Sequence, residues 1–235
     1  MKKMKKIQIL LMAFILVNSA NAFTEIVESY TWKAFPGKGQ QMLNNMQEAA
    51  KIQTALGASV SINALNVGGA NEVDYVIRVD DIQSWGELKD KLTTSPEWLR
   101  FFSKIGRNPT GELQSSLTGI NLDPSKKASD FNDNYVYGVW VWDPAVGRNA
   151  EVVQTLLAGS QIDKSLGARV EVYSEGVGGT GNYYYVLFFD SWTSMSDYFS
   201  NSGASKERAD FVSSIDPASM TLVRSFTGST VPSTN

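Results

Sequence analysis

The chain of 235 residues contains neither histidine nor cysteine. Without an imidazole it cannot activate a serine or cysteine nucleophile in the usual way, and it lacks the commonest ligand for zinc or haem iron. Without a thiol it forms no disulfide, carries no lipid on a cysteine and builds no thiolate metal site. Basic residues are also scarce. Lys2, Lys3, Lys5 and Lys6 hold four of the 21 Lys and Arg residues, which leaves 17 against 24 acids beyond that cluster, a net charge of −7. An acidic chain with no basic patch excludes nucleic acid and anionic lipid as expected partners.

The four lysines precede an apolar run from Ile7 to Val17, broken only by Gln8, and Ala20-Asn21-Ala22 follows. This order predicts a signal peptide over residues 1–22, with Phe23 as the mature N-terminus. The apolar run falls short of the about 20 residues that span a bilayer, so no membrane attachment is expected after cleavage. A periplasmic or secreted location follows, and a cysteine-free composition suits the bacterial periplasm.

What the chain does have is a repeat. Leu56-Gly57-Ala58 returns as Leu166-Gly167-Ala168, an offset of 110. Trp32 matches Trp142, Val67-Gly68-Gly69 matches Val177-Gly178-Gly179, Tyr75-Val76 matches Tyr185-Val186, and Asp80 matches Asp190. One deletion later, Leu117-Thr118-Gly119 aligns with Phe226-Thr227-Gly228. Two units are expected, over residues 23–119 and 134–228, with a polar linker at 120–133 and a flexible tail at 229–235.

Within the first unit, residues 26–33 are rich in β-branched and aromatic side chains and read as a strand. Apolar residues at helical spacing predict an amphipathic helix over 39–55, with Gly57 just past its end. Residues 58–64 alternate apolar and polar, a turn follows, and 73–79 runs back as a third strand. Asp81 and Ser95 read as helix N-caps, the second with Pro96 at the first helical position. Residues 112–118 supply a fourth strand. The order is β-α-β-β-α-β, the ferredoxin-like unit, and it recurs from Asn134.

The strand pattern also predicts faces. Val60, Ile62, Tyr75, Ile77 and Val79 are apolar in both units and are assigned to the side under the helices. Ser59, Ser61, Asn63, Asp74 and Arg78 lie on the other side, matched by Arg169, Glu171, Tyr173, Tyr184 and Phe188. Such complementary divergence predicts that the two sheets meet on these faces as one α+β barrel. Asp74 or Glu171 then pairs with Arg169 or Arg78 across it, or these groups stay solvated at the rim.

An α+β chain of two ferredoxin-like repeats resembles the dimeric α+β-barrel superfamily, which includes antibiotic-biosynthesis-monooxygenase-like, EthD-like and stress-responsive barrel proteins. The resemblance covers residues 24–228 and rests on Trp32 closing the first strand, Leu56-Gly57-Ala58 before the second and Asp80 after the third. It implies that the second repeat replaces the usual dimer partner, so a monomer is expected. The superfamily holds cofactor-independent monooxygenases, haem enzymes, lactone isomerases and members with no known activity, so the fold leaves function open. By resemblance, Trp32, Asn63, Tyr75 and Arg78 would line a pocket in the first unit, and Trp142, Arg169, Tyr173 and Tyr185 one in the second. The competing reading is that the rings fill the core. Met42, Met46 and Trp85 read as helix-to-sheet packing.

Two other motifs carry nothing. Gly176-Val177-Gly178-Gly179-Thr180-Gly181 looks like a phosphate loop, but joins two strands and reads as a hairpin. Asp130-Phe131-Asn132-Asp133-Asn134 begins like a calcium loop, yet Tyr135 and Val141 stand where glycine and glutamate are required. No metal and no cofactor are expected. The first functional expectation is a non-catalytic barrel that binds a small apolar or aromatic molecule or a protein. The alternative is a cofactor-independent monooxygenase or isomerase. A cavity of roughly 300 Å³ or more with an acid or arginine in it marks a ligand site; filled space marks a structural role.

Overall fold

A computed structural model describes residues 24–69 and 71–232. The expected signal peptide at 1–22 lies outside the described residues. The order of elements is β1 (Ile26–Ala34), α1 (Gly39–Ala55), β2 (Ser59–Leu65), β3 (Glu72–Val79), α2 (Ile82–Thr94), α3 (Pro96–Arg107) and β4 (Gly111–Asn121). After a 3-10 turn at Ala128–Phe131 come β5 (Val136–Pro144), α4 (Asn149–Ser165), β6 (Arg169–Glu175), β7 (Tyr183–Phe189), α5 (Trp192–Ala204), α6 (Lys206–Ser214) and β8 (Met220–Thr230). The helix expected over 39–55 has those bounds. Asp81 accepts from the Ser84 amide at 2.7 Å and Ser95 from the Trp98 amide at 3.3 Å, so both caps form where expected. Gly57 and its counterpart Gly167 sit at φ +107° and +99° just past α1 and α4, a conformation that needs no Cβ.

The eight strands pair antiparallel into one closed barrel, in the order β1-β3-β2-β8-β5-β7-β6-β4. Each half forms a four-stranded sheet, and the last strand of each reaches across to the other half. Gly119 to Asn121 of β4 pair with Tyr173 to Glu175 of β6, and Gly228 to Thr230 of β8 pair with Asn63 to Leu65 of β2. Closure removes the sheet edges that an isolated half would expose. It also corrects the expected fraying from residue 229. Ser229 and Thr230 close the ladder onto β2, and the Val231 amide donates to the Ile62 carbonyl at 2.7 Å.

The six α-helices among the described residues pack on the outside of the barrel, and none is long and apolar enough to cross a membrane. Three cores result. Met42, Met46, Ile62, Tyr75, Ile77 and Leu88 fill the space under the first helices, with Trp85 packed against them. Val152, Val170, Val172, Leu187, Met195 and Tyr198 do so in the second half. The third core is the barrel interior, where Val27, Val76, Tyr135, Tyr137, Phe188 and Phe226 meet. The face assignment made from alternation holds on β2, β3, β6 and β7.

The segment read as a linker does more than connect. Phe131 is 2% exposed and its ring lies between two guanidinium groups, Arg78 at 4.0 Å and Arg169 at 4.2 Å from the centroid. The ring closes the end of the barrel where β3 and β7 finish. The glycine-rich segment 176–181 is a hairpin, tied by the Glu175 carboxylate, which accepts from the Thr180, Gly181 and Asn182 amides.

Candidate functional site

Side chains two apart on a strand share a face and neighbours do not. That rule separates the eight residues proposed to line pockets. Asn63, Arg78, Arg169 and Tyr173 belong to the barrel interior; Trp32, Tyr75, Trp142 and Tyr185 face the helices. One pocket built from Trp32, Asn63, Tyr75 and Arg78 therefore does not exist, because the sheet lies between the two pairs. The same correction applies to Trp142 and Tyr185 against Arg169 and Tyr173.

The interior residues form a buried ionic cluster. Arg78 Nη1 donates to Glu25 Oε1 at 2.5 Å and to the Tyr173 hydroxyl at 3.0 Å. Glu25 is fully buried and also accepts from Asn121 Nδ2 at 2.8 Å. Burial alone would lower the pKa of Arg78, but Tyr173 and Glu25 beside it hold it well above its ordinary value. The expected pairing across the sheets is thus corrected. The acid for Arg78 is Glu25, which precedes β1, and Asp74 instead accepts from Thr31 Oγ1 at 2.6 Å. Glu171 takes Lys126 at 3.2 Å and Arg169 at 3.4 Å, the latter from its own strand. Every charge but Asp74 has an opposite charge in contact, which suits a structural element better than a substrate site.

The helix side of the second half is different. A cavity of about 570 Å³ opens there between β5, β7 and β8 and the helices α4, α5 and α6. Its walls are Trp140, Trp142, Leu156, Leu187, Phe199, Phe211 and their aliphatic neighbours. Its polar end is one connected group. Tyr185 donates its hydroxyl to Asp163 Oδ2 at 2.6 Å, and Arg208 Nε donates to Asp163 Oδ1 at 3.0 Å. Asp163 is 5% exposed, so its charge is desolvated and held by these two donors. Burial, then the bond to Asp163, pushes the Tyr185 hydroxyl far above its ordinary value. Burial likewise pushes Tyr198 up to about 12, with Asp163 adding to it. Both tyrosine hydroxyls therefore stay protonated at any physiological pH.

Local sequence explains the opening. Gly159 faces the cavity from α4, and a Cβ there would stand 3.0 Å from Phe211 Cε1 and 3.7 Å from the Tyr185 hydroxyl. Gly138 on β5 lets the Trp140 ring lie over the strand, where Phe199 meets it edge-on at 6.4 Å. The rim is apolar and solvent-exposed: Phe199, Val212 and Leu222 are 45%, 50% and 45% exposed. Of the eight residues proposed from the sequence, Trp142 and Tyr185 line this cavity. Asp163, Arg208, Gly159 and Trp140 were missed. The signal available was the repeat itself, since the matching positions in the first half hold Gln53, Trp98, Ala49 and Tyr30.

The donor set does not fit a haem or a metal ion. Histidine and cysteine are missing from the whole chain, and no group of three acids among the described residues could hold an ion. The Tyr185 oxygen that faces the cavity is already committed to Asp163.

No protein-family model matches the chain, and no curated protein matches it in sequence. Solved structures do match its shape. An anthrone oxidase-like protein superposes with a TM-score of 0.56 at 14% identity, covering 91% of this chain and 93% of that one. A monooxygenase candidate from Fusobacterium nucleatum gives 0.58 at 11% identity, covering 88% and 91%. A chlorite dismutase variant from Candidatus Nitrospira defluvii gives 0.54 at 9%, covering 88% and 91%. These proteins belong to the dimeric α+β-barrel superfamily, and at such identities the likeness establishes the fold alone.

Proposed function

We propose that the chain is an enzyme of the cofactor-independent oxygenase or isomerase kind, acting on a small aromatic molecule bound in the second-half cavity. The observation that carries this is the pairing of a large apolar void with a buried Asp163–Tyr185–Arg208 group at its end. The shared fold of the anthrone oxidase-like protein and the monooxygenase candidate supports the same class.

The chemistry needs only these residues and dioxygen. A carbon acid flanked by aromatic rings and a ketone loses a proton to the Asp163 carboxylate, which still has free lone pairs beside Tyr185 and Arg208. The Arg208 guanidinium gives Asp163 its Nε–H and has further N–H donors to stabilise the enolate oxygen that forms, while Tyr185 holds the carboxylate in place. The carbanion then reacts with dioxygen directly: the CH₂ carbon becomes a carbonyl, and the second oxygen atom leaves as water with the two hydrogens. The aromatic walls hold the ring system and exclude bulk water.

Anthrone is the probe of choice. Quenching of Trp140 and Trp142 fluorescence measures binding, and an oxygen electrode measures turnover. Asp163→Asn should keep binding and lose oxygen uptake by about 100-fold or more, the usual share of a general base. Binding without uptake in the unaltered chain would support instead the non-catalytic barrel, for which the same cavity serves as a carrier site. No binding at all would remove both.

The same proposal places the protein outside the cytoplasm, with cleavage after Ala22; a periplasmic protein whose N-terminal residue is not Phe23 contradicts it. We take the two halves, 23–119 and 134–228, as duplicated repeats that make a monomer. A dimer on gel filtration would contradict that.

A further inference from the structure

The barrel interior holds a second void, about 90 Å³, on the far side of the sheet from the cavity above. It starts beside Arg78 and runs away from Phe131 towards the opposite mouth, where Leu117, Glu175 and Tyr184 stand. Three residues that line it each carry a buried polar atom with no partner: Asn63 Oδ1, Arg78 Nε and the Tyr137 hydroxyl. The residues are 2%, 5% and 5% exposed. Asp74, 6% exposed, lines the same void.

An unmade hydrogen bond in a protein interior is costly, and such atoms are rare in native folds. Three of them on one small void are not independent accidents. The other bonds of these side chains are already fixed. Asn63 Nδ2 donates to Ser61, and the Arg78 Nη1 is taken by Glu25 and Tyr173. The Tyr137 ring rests on Gly228, where a Cβ would come within 2.4 Å of its hydroxyl end. Among the described residues, one acceptor, one donor and one hydroxyl are thus left unpaired on side chains that line a space no described side chain fills. At about 30 Å³ for each water in the liquid, the space suits about three waters.

We propose that this void is a hydrated binding site, filled by a guest that both donates and accepts hydrogen bonds and joins Asn63, Arg78, Tyr137 and Asp74 in one network. The shared chemistry is that of a water cluster or of one small neutral polar molecule such as a diol or amide. The site is distinct from the apolar cavity and would hold its guest whether or not that cavity is catalytic.

The sign of one substitution tests it. With a guest present, Tyr137→Phe removes a used hydroxyl and lowers the Tm by roughly 2–4 °C. With the void dry, the same change deletes an unpaired buried group, and the Tm stays level or rises, which overturns the proposal. A crystal structure at atomic resolution reads the occupant. Separate water peaks within hydrogen-bond reach of the three atoms, or one connected small molecule, support the site and tell the two sources apart. Absence of density in the void overturns it.

Discussion

The first and second halves follow the same order of elements, and positions 110 apart put that order to opposite uses. On the inner face, a polar residue in one half stands opposite an aromatic in the other: Glu25 matches Tyr135, Asn63 matches Tyr173, Asp74 matches Tyr184 and Arg78 matches Phe188. The two faces meet through other combinations of these residues: Arg78 and Glu25 bond Tyr173, and Tyr135 bonds Ser61. On the outer face the difference is in volume. In the first half, Trp98 stacks on Phe101 at 5.4 Å, and Glu28 gathers Trp85, Tyr30 and Lys89. In the second, those positions hold Arg208, Phe211, Gly138, Met195, Trp140 and Phe199. The first half spends its helix-to-sheet space on packing, and the second leaves it open around an acid. An identical fold can thus be a buttress on one side and a site on the other.

The largest expected effect follows from that contrast. Phe101 is buried in the first core, so Phe101→Ala should cost about 3–5 kcal/mol. Its counterpart Phe211 is half-buried on the cavity wall and lacks the Trp98 stack, so Phe211→Ala should cost roughly 1 kcal/mol. Urea unfolding of the two variants measures both. Equal losses would mean that the second half is packed as tightly as the first, and the cavity would lose its significance.

A smaller effect separates the polar ends. Tyr75 donates to Gln53 at 2.5 Å where Tyr185 donates to Asp163, so one acceptor is neutral and the other ionic. Tyr75→Phe should cost about 1 kcal/mol, and Tyr185→Phe about 2 kcal/mol, because it strips a charge-assisted bond from a buried carboxylate. The order of the two values is the check. If Tyr75→Phe proves the more damaging, Asp163 does not depend on Tyr185 and its role as a poised base weakens.

Much of this architecture was legible in the sequence. Alternation on β2, β3, β6 and β7 assigned the two faces, and spacing gave α1 its bounds, because burial on one side leaves period two and period 3.6 in the text. The interior partners were not legible. Glu25 lies before β1, outside any alternating run, and Phe131 sits in a polar stretch whose composition says linker. Only the closed barrel brings them to Arg78. The cavity failed for another reason: Trp32, Tyr75 and Asn63 were grouped by chemistry, and the sheet divides them by position. Gln53 against Asp163 and Ala49 against Gly159 carried the missing information, because positions 110 apart show where the second half departs from the packing of the first.

The smallest expected effect concerns Asp74, an inner acid that makes no ion pair with a described residue and accepts from Thr31 instead. Burial raises the pKa of Asp74 above its ordinary value, outweighing the Thr31 bond and the more distant Arg224, which both lower it. A raised carboxyl pKa means that the fold prefers the protonated form. Its contribution is fully present below the unfolded value of about 3.9 and is lost as pH rises through the folded value. Asp74→Asn keeps an acceptor for Thr31 and never ionises. It should therefore be more stable than the unaltered chain at pH 7, with the gain shrinking as pH falls towards 4. Its counterpart Tyr184, whose pKa is also raised, stays neutral throughout that range, so Tyr184→Phe should show no such slope. A gain for Asp74→Asn that is the same at pH 7 and pH 4 would mean that Asp74 titrates in the fold as it does in the unfolded chain, and that this buried acid does not set the two inner faces apart.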